Sequence, residues 1–314
     1  MVASTHARLL VVLSLLSAAS YGQIKNGFDL ADSLVPANEI RSGGQPPDEI
    51  PSIDEPSFVA AKDATFLRDH DRVIGVYRNG IAKAYWIGIL EWHEIVNDHF
   101  GDQAVLISYC PLCNTGMVFS VQNPNTAFTF AVSGLLYNSD LLLYDRQTNS
   151  LWSQIMSQAI SGPLKGVALK LLPSSHTTWQ EWRDRYPDTL VLTNKLGLGY
   201  QALYRNRPYQ DYARTGRLYY GVKNKTDEFR NKELVLGISI DQKHKAYPFS
   251  ELSEQGLPSF EDDFSGQRVT VKWIESENTG RVLTRNGTEL PSVLAYWFAW
   301  YAFHPDTEIF RAND

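Results

Sequence analysis

Cysteine is nearly missing from this chain: 314 residues hold two. Two cysteines cannot form a disulfide framework, so the fold must rest on a hydrophobic core. A surplus of either charge is missing as well. Lys and Arg number 29 against 35 Asp and Glu, a net charge of −6 with no basic stripe, which removes the electrostatic footprint of a nucleic-acid binder. Long apolar runs are missing. The richest internal stretch, Leu294 to Phe303, is too short to cross a bilayer. The chain also lacks a serine nucleophile elbow, a phosphate-binding glycine loop and a His-Glu-x-x-His pattern.

What is present is an ordinary globular composition, 43% hydrophobic, with 8 Trp and 16 Tyr. Arg8 followed by the apolar run Leu9 to Ala19 has the length of a signal-peptide core, so residues 1–22 are read as a signal peptide. The mature chain is then expected to be secreted or periplasmic, without a membrane span. Residues 23–65 are rich in Pro, Gly, Ser and acidic groups and read as an extended segment with little structure of its own.

The chain resembles itself. Val73-Ile-Gly75-Val76 and Lys83-Ala84-Tyr85 recur 162 residues later as Val235-Leu-Gly237-Ile238 and Lys245-Ala246-Tyr247. Asp98 to Val105 matches Asp262 to Val269 at 164 residues. Trp179, Trp182 and Pro187-Asp188-Thr189 match Trp297, Trp300 and Pro305-Asp306-Thr307 at 118. Ordered self-similarity of this kind predicts two copies of one unit. Copy one spans 66–192 and copy two 233–314, joined by a connector at 193–232; the change of offset places a 46-residue insertion in copy one. Asn79-Gly80 between apolar runs reads as a hairpin turn. A helix is expected over Ile89–Asn97, a hairpin from Met117–Val121 and Ala127–Val132, and a second helix over Thr177–Tyr186. The expected fold class is α+β, β-rich: a duplicated mixed β-sheet or barrel-like unit with short covering helices.

Copy one alone carries Cys110-Pro111-Leu112-Cys113. Thioredoxin-type chemistry needs a helix after the first Cys to lower its pKa. Here Asn114-Thr115-Gly116 and a β-like run follow, so the motif reads as a turn between strands, like a metal-binding knuckle. A knuckle supplies two ligands and a closed tetrahedral site needs two more. His93 and His176 are the expected completing ligands, because both occur in copy one and have no counterparts in copy two. A soft dithiolate with imidazole points to copper first and zinc second. His304 belongs to copy two and gains weight only if the copies face each other; His244 lies in a hydrophilic stretch.

The insertion supplies a second set. Asp140 and Asp145 could orient a ligating His, or serve as turn residues. Glu94, Tyr137, Asn138 and Trp152 are expected in the shell or pocket around the site. The leading expectation is a metal-binding protein, as a copper- or zinc-dependent redox enzyme acting on a small molecule or a metal donor or acceptor. Thiol-disulfide exchange through Cys110 and Cys113 is the alternative, and a binding scaffold stapled by a structural disulfide is a third.

Several strings are similar to one family. Lys83-Ala84-Tyr85, Trp92 to Asp98, Ser108-Tyr109-Cys110-Pro111-Leu112-Cys113, Ser133 to Asp140 and Leu151-Trp152-Ser153-Gln154 resemble, in order, the domain of unknown function 3179 family. The resemblance runs from roughly Val73 to Thr307. It departs at Trp86, where the family usually has Pro, and it matches only partly at Tyr204 to Tyr209. It implies an exported protein of bacteria or archaea and leaves the activity open.

Overall fold

The structure is a computed structural model that describes residues 23–121, 128–197 and 199–313. The signal segment 1–22 and the turn expected at residues 122–127 lie outside the described residues. The fold is β-rich, with several sheets and few helices. Each of these sheets is open, so the barrel-like closure expected from sequence does not form among the described residues. Short edge strands of two to four residues, such as Phe58–Ala60 and Glu308–Ile309, end the sheets before they can curl round.

Asn79-Gly80 forms its turn, with both residues at positive φ, between Arg72–Arg78 and Ile81–Trp86. These strands lie inside a sheet ordered Ser175–Thr178, Arg72–Arg78, Ile81–Trp86, Leu190–Leu192, Phe58–Ala60. A second sheet runs Ser292–Tyr296, Leu234–Ile240, Lys243–Pro248, Glu308–Ile309. Both have two antiparallel pairings followed by a parallel one. Each half also contains a three-stranded meander: Ile95–Phe100, Gln103–Cys110 and Thr115–Ser120 in the first, Ser259–Phe264, Gln267–Ile274 and Thr279–Thr284 in the second.

Contacts recur with the strands. Lys83 pairs with Asp98 at 2.8 Å and Lys245 with Asp262 at 2.7 Å, and the hydroxyls of Tyr85 and Tyr247 donate to the same two carboxylates. Trp182 Nε1 donates to Thr189 Oγ1 at 2.9 Å, and Trp300 Nε1 to Thr307 Oγ1 at 3.0 Å. Gly75 lies under the Trp182 ring and Gly237 under the Trp300 ring, so close that any Cβ would overlap the indole. Gly75→Ala is therefore expected to cost about 3 kcal/mol, the upper part of the range for overpacked cores. Urea unfolding should show the lower midpoint at unchanged slope. A wild-type midpoint would refute this packing.

Three local expectations change. The first helix covers Ile87–His93 and stops there, because Glu94 adopts φ 56 and its N–H caps Leu90 O; Ile95–Phe100 is a strand rather than the end of the helix. Thr115–Ser120 and Phe130–Tyr137 do not pair as a hairpin. The former pairs with Gln103–Cys110 and Lys170–Leu171, the latter with Asp140–Asp145 and Ile40–Ser42. The segment 23–65 is more structured than its composition suggested: it supplies edge strands Ile40–Ser42 and Phe58–Ala60 to two sheets.

The Gln103–Cys110 strand is buried on both faces, and its side chains alternate between two cores. Val105, Ile107 and Tyr109 join the core of the first half. Leu106 and Cys110 face the other way, into a core shared with Val235, Val293 and Trp297 of the second half. This alternation positions the site.

Candidate metal centre

Cys110 ends its strand opposite Thr115, and the intervening Pro111–Asn114 turn closes with Asn114 at φ 55. Asn tolerates this left-handed conformation. The motif is thus a turn between strands, as its flanking residues indicated. A second turn meets it. Tyr137 pairs with Asp140, and Asn138 and Ser139 between them both have positive φ, 51 and 64, as a primed two-residue hairpin requires. That tight turn makes Asp140 the first residue of its strand and aims it at the cysteines. The Cys110 Sγ, the Cys113 Sγ and a carboxylate oxygen of Asp140 lie within 4.8 Å of one another, and all three residues are buried. Both cysteines are free thiols. Their sulfurs lie 3.9 and 3.3 Å from Ser139 O. The second half steadies the turn through Tyr296 N–H, which donates to Cys113 O at 2.9 Å.

Asp140 is held from behind. Its Oδ2 accepts the Ile155 N–H at 3.1 Å, and the Thr115 hydroxyl lies 3.4 Å from its Oδ1. Thr115 donates more closely to Gln154 Oε1 at 2.7 Å, and Gln154 Nε2 donates to Ser108 Oγ at 2.9 Å. This buried polar chain fixes the carboxylate's orientation.

The electrostatics are one-sided. Burial pushes the Asp140 carboxyl up to about 7. Burial, then the Asp140 charge, pushes Glu94 up to about 8. Burial also raises the Cys110 thiol and raises that of Cys113 well above its ordinary value. Among the described residues neither Asp140 nor Glu94 forms an ion pair. Acidic groups packed together without a counterion hold their protons until a cation replaces them. A cavity of about 270 Å³ opens beside the cluster, lined by Glu94, Leu112, Leu141, Tyr209 and Tyr220.

The histidines are not brought to the sulfurs. Both ring nitrogens of His93 are engaged, Nδ1 with Pro51 O at 2.7 Å and Nε2 with the Tyr204 hydroxyl at 2.8 Å. His176 lies on the Ser175–Thr178 strand, its ring edge-on to Tyr109 at 6.1 Å. Tyr109 points to the opposite face of its strand from Cys110, so His176 belongs to the other core. Both imidazoles are packed into the interior of the first half.

Asp145 lies at the far end of its strand, where it accepts Trp152 Nε1 at 2.9 Å and the Thr148 N–H at 2.7 Å; this is its turn-residue role. Trp152 fills the core against Phe130. Asn138 Oδ1 accepts the Lys223 N–H, and Tyr137 packs against Phe303. Of the expected shell only Glu94 lines the cavity beside the thiols. Asp140, expected behind a ligand, stands among the donors itself. Gln154, which the Trp152-Ser153-Gln154 string offered as a pocket or core residue, ties Thr115 to Ser108, and polar residues inside apolar strands are the signal that finds these last two. Tyr209 and Tyr220, which lie between the two halves in sequence, also line the cavity, and no local pattern places them there.

A family model described as "Protein of unknown function (DUF3179)" matches residues 47–289. No curated protein matches the chain, and no solved structure does.

Proposed function

The chain belongs to the DUF3179 family, and from its site we propose an exported metalloprotein in which Cys110, Cys113 and Asp140 hold one zinc ion. The observation that carries this reading is the trio of buried acidic donors within 4.8 Å and without a counterion. Imidazole beside the two thiolates would suit copper. A carboxylate in that place suits zinc, which accepts sulfur, nitrogen and oxygen donors alike.

Three protein ligands leave a coordination position for water or substrate, the pattern of catalytic rather than structural zinc. Bound there, zinc would supply Lewis acidity and a water acidic enough to ionise near neutrality. The cavity of about 270 Å³ falls just under the range of about 300–1,000 Å³ for drug-sized ligands, which fits a smaller molecule. Glu94 lines it and is the side chain placed to exchange a proton with whatever enters. The substrate is then a small molecule, and the reaction a metal-assisted one.

Thiol-disulfide exchange is less well supported. An attacking thiol must be accessible and readily ionised, whereas both sulfurs are buried and their pKa values raised. A structural staple is disfavoured by the free thiols. Export rests on the N-terminal pattern. Duplication is our reading of the two halves, supported by their shared strand order, by the Lys-Tyr-Asp contacts and by the Gly-Trp contacts at matching offsets.

The test is metal analysis of untagged protein reconstituted under reducing conditions. One equivalent of zinc is expected. No stoichiometric metal would remove the proposal; one equivalent of copper in preference to zinc would overturn the assignment of the metal.

A further inference from the structure

A second cavity, of about 500 Å³, lies between the two halves and shares no donor with the cysteine cluster. The sequence contains three methionines, Met1, Met117 and Met156. The latter two both line this cavity, one from the cysteine meander and one from the insertion. Facing them from the second half are His244 and His304. No carboxylate, lysine or arginine lines it among the described residues.

The histidines are arranged as a pair. Their rings stack at 3.8 Å with 26° between planes, and His304 also leans on Trp300 at 4.3 Å. His244 Nδ1 is engaged by Ser239 Oγ at 2.8 Å, which leaves Nε2 for the cavity. The His304 ring makes no hydrogen bond among the described residues. At the offset of 118, His304 stands where the first half has Tyr186. Tyr186 leans on Trp182 in the same way, at 4.5 Å, and its stacking partner there is Tyr77 at 4.9 Å. One niche thus holds two phenols in the first half and two imidazoles in the second. Only the imidazole version faces the methionines.

We infer that this cavity is a cation site for a soft monovalent ion, Cu(I), taken by the Met117 and Met156 thioethers and the His244 and His304 imidazoles. Thioether and imidazole donors select soft ions, whereas Mg²⁺ and Ca²⁺ demand oxygen. A donor set without a negative charge leaves a divalent ion uncompensated in an apolar wall, and a single charge costs least there. The broad imidazole χ2 allows the unbonded His304 ring to turn toward an ion beside His244. The cavity wall also touches the first site: the Ile155 side lines it, and the Ile155 N–H holds Asp140.

The test is an anaerobic Cu(I) titration of the full chain against a chromogenic Cu(I) chelator. Wild type is compared with the volume-conserving Met117→Leu/Met156→Leu double variant and, independently, with His244→Gln at a partly exposed ring. Each variant should lose one Cu(I) equivalent or bind it at least tenfold more weakly, with its urea midpoint kept. Cys113→Ser should leave that equivalent in place, which separates this site from the zinc reading. Equal stoichiometry and affinity in wild type and both variants would overturn the inference, as would a wild type that binds Cu(I) only through its cysteines.

Discussion

Cys113→Ser is expected to take the bound zinc from one equivalent to a trace. Cys113 is fully buried, and its turn is pinned by Tyr296 N–H. Serine keeps the volume and the turn but cannot supply a thiolate. Loss of an outer-shell partner alone typically costs about 10–100-fold in metal affinity, so loss of a ligand should exceed about 100-fold. Asp140→Asn should also weaken zinc strongly, because the amide offers a neutral oxygen in place of a carboxylate. The informative contrast is with the residues first expected at the site. His93→Gln and Asp145→Asn should keep full zinc content, since His93 is occupied by Pro51 and Tyr204, and Asp145 by Trp152 and Thr148. Metal content of purified variants, normalised to folded protein, decides this. Zinc retained by Cys113→Ser, or lost from His93→Gln while its fold persists, would count against the assignment.

The second large effect concerns pH. In metal-free protein the folded-state carboxyls of Asp140 and Glu94 titrate at about 7 and about 8, above their ordinary values of 3.8 and 4.5. Between the ordinary and the raised values the native chain binds more protons than the unfolded chain. Stability must therefore fall as pH rises. The contribution is fully present below about pH 4 and lost as pH climbs through 7 to 8. One unit of pKa is about 1.4 kcal/mol, so the loss is on the order of a few kcal/mol. Zinc should reverse this trend, because it binds the deprotonated donors and its stabilisation grows with pH. Thermal melts of metal-free protein at pH 5.5 and 8.5, repeated with zinc, measure it. The metal-free melting temperature should drop across that interval and the zinc-bound one should not. A metal-free protein equally stable at both would contradict the burial of these groups.

Much of this architecture is legible in the chain itself. Asn79-Gly80 announced its hairpin, and Lys83, Tyr85 and Asp98 recur with the same spacing as Lys245, Tyr247 and Asp262 because each set closes the same contact. The cysteine turn was readable from Asn114-Thr115-Gly116. The completing ligand was harder to see. Asp140 reaches the sulfurs because the local hairpin turn at Asn138-Ser139 comes against the cysteine turn of a different sheet, a meeting of two sheets that no local pattern encodes. His93 and His176 misled for a physical reason. A buried imidazole has to be satisfied or tolerated by its surroundings, and the interiors of the two halves differ whether or not a metal is bound. The expected helix runs on to Asn97, into the first residues of the strand Ile95–Phe100, because the left-handed Glu94 cap gives no compositional warning.

Zinc-edge X-ray absorption on the reconstituted protein tests the central claim most directly. Two sulfurs near 2.3 Å and light oxygen donors near 2.0 Å, with no imidazole scattering, are expected of a Cys110, Cys113, Asp140 site completed by water. Imidazole in the coordination shell, or no sulfur at all, would contradict it.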